Sequence, residues 1–139
     1  MSGAVTALLI CLAGGIGAAL RLVLDSLIRT RLKTTYPIGT TIINVTGSLL
    51  LGLLTGLTAG QLLQQPFQLI MGTGLLGGYT TFSAASFETV RLLEDRQYLA
   101  AALNSLGMLI SCTAAAALGY GVALLIYGQG NGGCVNGCR

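Results

Sequence analysis

The sequence predicts an all-α membrane protein of four transmembrane helices, the third of them broken. Three observations lead there. Of 139 residues, 53% are hydrophobic and only 8% are charged, whereas a soluble domain carries about a quarter charged residues. Four apolar stretches follow one another, each long enough to cross a hydrocarbon core of about 30 Å. One of them holds "GGYTTFSAAS", residues 77–86, a cluster of glycines and hydroxyls in mid-span.

The first stretch covers 4–28. It lacks the basic start of a signal peptide and runs apolar for too long, so it reads as a retained helix. An Ile before Cys11 also makes a poor lipid-modification site. The second stretch covers 38–60 and follows the break at Tyr36-Pro37. The third covers 67–92 and follows Pro66. The fourth covers 98–127. Connections are short, which leaves one four-helix unit over 1–127. The Gly-rich end, 128–139, reads as a disordered tail. Cys11 and Cys112, in apolar runs, read as small packing residues. Cys134 and Cys138, with no His nearby, are weak metal candidates.

Small residues recur at four-residue spacing: Gly52, Gly56 and Gly60 in the second stretch, Ala115 and Gly119 in the fourth. Such rows let helices approach closely in lipid. They serve packing within the subunit or a seam between subunits. Four helices hide few polar groups, which favours an oligomer. Arg29, Arg31 and Lys33 lie in the first connection, and Arg91 and Arg96 at the third. Four crossings put both on one side, the cytoplasmic one by the positive-inside rule.

Several polar residues fall inside the apolar runs. Arg21 lies two-thirds along the first stretch, either snorkelling to the interface or forming a positive mouth for anions. Thr40, Asn44 and Ser48 share one helix face at i, i+4, i+8. Asn44 needs partners in hydrocarbon; it is interhelical glue or a donor to a passing solute. Asn104 and Ser111 share a face of the fourth stretch, with Met108 between them. Glu88, the one acid of the third stretch, lies about a turn from Arg91 and reads equally as a helix-end carboxylate. In the third stretch, a break is tolerated only where protein or a cavity satisfies the backbone. Freed carbonyls there can hold a cation. The hydroxyls of Thr80, Thr81 and Ser83 can donate to an anion, and the positive edge of the Phe82 ring can face one. With no His and four acids in the chain, metal-activated or His-based catalysis has little to work with.

"GGIGAALR", "PIGTTIINVTGSLLLG" and above all "GGYTTFSAASFE" resemble the CrcB/Fluc fluoride channels, in order and spacing, over residues 4–127. The resemblance implies a multi-pass cell-membrane protein that pairs as an antiparallel dimer and passes fluoride out of the cytoplasm passively. It is not an enzyme. A structural sodium ion at the dimer centre would be held by the carbonyls of Gly77 and Thr80. The anion pathway would use Asn44, Phe82, Ser83, Thr81, Arg21 and Glu88. One departure stands out. The family pattern TTFSTFS reads "TTFSAAS" here, so Ala85 replaces a second ring and Ala84 a Thr. Phe87 lies two residues on, about 200° around the helix from Ala85. The dimer partner is therefore an identical or a homologous subunit. The alternatives are a non-conducting or partner-dependent subunit of a heterodimeric fluoride channel, and a small multidrug antiporter. The antiporter needs an acid deep in the first helix, where only Asp25 stands, near its end.

Overall fold

The computed structural model describes residues 3–32 and 38–131. Lys33, Tyr36 and Pro37, and the cysteines at 134 and 138, lie outside the described residues. Every described element is helical. α1 is Gly3–Leu32 and α2 is Ile38–Ala59. α3 begins with an α-turn at Gln65–Gln68, widens into a π-helix over Leu69–Leu76 and closes with a turn at Gly77–Tyr79. α4 is Phe82–Glu94 and α5 is Tyr98–Asn131.

Three of these helices are long and apolar enough to cross a membrane: Gly3–Arg31, Ile38–Ala59 and Tyr98–Gly128. The third stretch of the sequence is split between α3 and α4. The 13 residues of α4 span about 20 Å at 1.5 Å per residue, short of a hydrocarbon core. Pro66 lies in the first turn of α3, where its missing N–H is no loss. α2 and α4 each stop at a residue with positive φ, Gln61 and Arg96, both at 57°. Gln61 N–H bonds Thr58 O and Leu62 N–H bonds Leu57 O; Arg96 and Gln97 repeat the pattern on Leu93 and Leu92. This closure satisfies the last helical carbonyls before the chain turns.

Packing follows the glycines. α2 and α5 make the most extensive contact in the fold and run parallel. A Cβ on Gly52 would meet Ala116 O, one on Gly56 would meet the Ala123 side chain and the Tyr120 backbone, and one on Gly60 would meet the Tyr127 ring. From α5, one on Gly119 would meet Leu49 O. The row Gly52, Gly56, Gly60 thus faces α5 of its own subunit. α1 docks on α3 in the same way: Gly17 lies against Leu75 O, and Gly78 against Gly14 O. Cys11 falls off that contact face and is exposed, and Cys112 is half-buried.

The α2–α5 seam can be tested directly. Gly52→Ala inserts a methyl group against a main-chain carbonyl, which no rotamer change relieves. Overpacking of this kind costs about 1–3 kcal/mol. The expected result is a lower melting temperature in detergent, with Gly121→Ala, where a Cβ meets nothing within 4 Å, as the neutral control.

Candidate functional site

The break lies at Thr80 and Thr81. Both have extended backbones, with φ −76°, ψ 158° and φ −148°, ψ 124°. Two helical donors are diverted there. Thr81 N–H, the i+4 partner of the Gly77 carbonyl in an unbroken helix, bonds Asn44 Oδ1 at 2.8 Å. Ala84 N–H, the i+4 partner of the Thr80 carbonyl, caps onto Thr81 Oγ1 at 3.4 Å. The Gly77 and Thr80 carbonyls, which the sequence singles out, are thus among those that lose their helical donors at the break. Gly77 is exposed on the subunit surface and Thr80 is half-buried. The Thr80 hydroxyl bonds back to Leu76 O at 3.0 Å.

Asn44 bridges the break. Its Nδ2 donates to Thr81 O at 2.9 Å while its Oδ1 accepts from Thr81 N–H. The amide thus pairs with a whole peptide unit, replacing bonds the helix has lost. The pairing also fixes the amide's orientation: reversed, it would set NH2 against N–H and carbonyl against carbonyl. Nδ2 further donates to Met108 Sδ on α5 at 3.2 Å. Asn44 is only 8% exposed. Thr81 Oγ1 and Ser83 Oγ lie 3.2 Å apart at the exposed start of α4. Phe82, beside them, is 87% exposed in the single subunit.

A second polar group lies nearer the loop ends of α1, α2 and α4. Thr40 Oγ1 donates to Glu88 Oε1 at 2.7 Å. Arg29 approaches the same oxygen at 3.6 Å and pairs with Asp25 Oδ2 at 2.9 Å. Glu88 is therefore tied to α1 and α2 rather than to the neighbouring Arg91. This brings the end of α1 and the start of α2 beside α4 near its end, on one side of the fold. Beside this cluster, Asn104 Nδ2 donates to Thr89 Oγ1 at 3.0 Å. Arg21 lies apart from both groups, half-buried on α1. Among the described residues, Arg21 Nε, Asp25 Oδ1, Glu88 Oε2 and Asn104 Oδ1 are buried without a partner inside the subunit.

The structure thus joins Asn44, Thr81 and Ser83 at the break and places Gly77 and Thr80 beside it. It sets Glu88 in a separate cluster with Thr40, Arg29 and Asp25. The Asp25–Arg29 pair was legible as an i, i+4 helix pair. Met108 as a partner of Asn44 was not, since a Met within an apolar stripe carries no polar signal.

Comparison with known proteins gives the chain its family. The family described as "CrcB-like protein, Camphor Resistance (CrcB)" matches residues 8–120. The chain belongs to this family. A relative from Leifsonia xyli subsp. xyli, "Fluoride-specific ion channel FluC 1", is 53% identical over 112 residues, 81% of this chain and 82% of the relative. "Fluoride-specific ion channel FluC 2" of Cutibacterium acnes is 47% identical over 115 residues, 82% of this chain and 94% of the relative. "Fluoride-specific ion channel FluC 2" of Mycobacterium bovis is 44% identical over 114 residues, 82% and 87% respectively. As a CrcB-like chain with three long apolar helices, the protein is a multi-pass membrane protein. The matched span holds both polar groups and the break, and the small multidrug antiporter is set aside.

Proposed function

We propose that this chain is a subunit of a fluoride-selective channel, which lets fluoride leave the cytoplasm down its electrochemical gradient. The observation that carries the reading is the break itself, held by Asn44 and flanked by hydroxyls, in a chain 53% identical to a protein named for fluoride conduction. Fluoride is small and holds its water tightly. A selective pore must replace that water with donors at close quarters. Asn44 N–H, the hydroxyls of Thr81 and Ser83, and the Phe82 ring edge are the donors on offer. Arg21 supplies positive charge and Glu88 with Thr40 supplies a polar continuation. No bond is made or broken in such a step.

The subunit works as half of an antiparallel dimer. Phe82 is 87% exposed in the single subunit, and a ring used in a pore needs a second wall. Gly77 and Thr80 fit a shared sodium ion: hard oxygen donors whose helical partners are diverted, with Gly77 on the subunit surface. The ion would neutralise carbonyls that are otherwise costly to bury. The partner is an identical or a homologous chain. Two observations favour a homologous one. Ala85 leaves each subunit with one ring of the family's two, and the basic residues of the first and third connections lie on one side, which fixes orientation. A chain inserting one way only cannot supply both halves of an antiparallel pair.

Fluoride efflux from liposomes that hold this chain alone tests the reading. Fluoride-selective efflux supports the channel and a homodimer. Efflux that appears only when a second homologue is added supports the heterodimer. No efflux in either case overturns the channel.

A further inference from the structure

The three hydrogen bonds of the Asn44 amide are unequal. Two tie it to the Thr81 peptide, at 2.8 and 2.9 Å. The third runs from the other N–H to the Met108 thioether at 3.2 Å. A thioether is a weak acceptor, and a Met side chain has three rotatable bonds and a polarizable sulfur. Asn44 and Met108 are each 8% exposed, so bulk water does not compete for that N–H. Left unpaired there, the N–H would be costly. Bonded to a carbonyl, it would be firmly committed. The sulfur avoids the first outcome without imposing the second.

The seam keeps Met108 in place. Asn44 and Met108 are 64 residues apart, and the same offset relates Gly52 to Ala116 and Gly56 to Tyr120 along the parallel pair α2 and α5. Close glycine contacts further along the seam therefore set the height of the sulfur against the amide. Thr81 meanwhile holds the amide plane still. The side chain free to step aside is that of Met108.

We propose that Met108 is a positioning residue: its thioether holds the anion-facing N–H of Asn44 between passages, yields it when fluoride arrives, and so sets how tightly the pore takes the ion. This rests on the reading that Asn44 donates to fluoride. The thioether competes with the anion for one proton, and the strength of that competitor tunes apparent affinity against release.

The test is fluoride current against fluoride concentration for the dimer in planar bilayers. Met108→Leu removes the competitor at similar volume. The half-saturating fluoride concentration should fall by about threefold to tenfold, the worth of one neutral hydrogen bond, and the maximal current should fall with it because release slows. Met108→Gln supplies a stronger acceptor, and half-saturation should rise. Opposite shifts are the signature, since a packing defect would move both variants the same way. No shift in either, or shifts in one direction, overturns the proposal. The wild-type channel gives a second measurement, in case a variant fails to fold. In a fluoride titration followed by nuclear magnetic resonance of the Asn44 side-chain amide, one geminal proton should move while its Thr81-bonded twin stays. Movement of the twin, or of both equally, overturns the parking role alone. Movement of neither removes Asn44 from the path and overturns the reading beneath it.

Discussion

Asn44→Asp abolishes fluoride flux while the subunit still folds and pairs. Two effects act together. A carboxylate at this position sets a like charge in the path of the anion. It also loses the donor that meets Thr81 O at 2.9 Å, so a carboxylate oxygen faces a carbonyl across the break. Two like unit charges about 4 Å apart repel by about 4 kcal/mol at an effective dielectric of about 20, which corresponds to a loss of roughly a hundredfold or more in flux. Fluoride efflux from liposomes measures the loss, and size-exclusion chromatography checks the dimer. Normal efflux from Asn44→Asp removes Asn44 from the pore.

The second large effect concerns the cation. If Gly77 and Thr80 carbonyls from two antiparallel subunits enclose one sodium ion, that ion holds the dimer centre together. Replacing all sodium with a bulky organic cation, from purification onward, should lower the dimer's melting temperature, raise the monomer fraction and suppress efflux. Readding sodium at millimolar concentration should restore all three. Stability is the deciding readout, because it does not depend on conduction. A melting temperature indifferent to sodium, or a high-resolution dimer map with water at that point, contradicts the assignment.

Much of this architecture was legible in the sequence, for physical reasons. Apolar length marked the four stretches. "GGYTTFSAAS" marked the break, because glycines and hydroxyls there have no reason to be in lipid unless the backbone is being reshaped. The face shared by Thr40 and Asn44 followed from helical periodicity, and both prove buried at 3% and 8% exposure. What remained hidden depends on tertiary register. Nothing local announces that the Asn44 amide pairs with the Thr81 peptide, 37 residues away. Glu88 lies about a turn from Arg91 on its own helix, yet α1 and α2 bring Arg29 and Thr40 to it instead. The glycine row of α2 had two readings until α5 was seen to fill it. The π-helix at Leu69–Leu76 was also unannounced; wide turns of this kind collect at functional sites, and here it leads directly into the break.

The account's central claim is that this chain contributes a fluoride pore, and efflux is its most direct measurement. Liposomes loaded with fluoride and holding the chain alone, or the chain with a homologous subunit, are opened to potassium flux, and external fluoride is followed with an electrode. The account predicts rapid, passive release of fluoride and none of chloride in at least one of the two preparations, lost on Asn44→Asp. Release of chloride alongside fluoride, or no release from either preparation while the dimer is demonstrably intact, contradicts it.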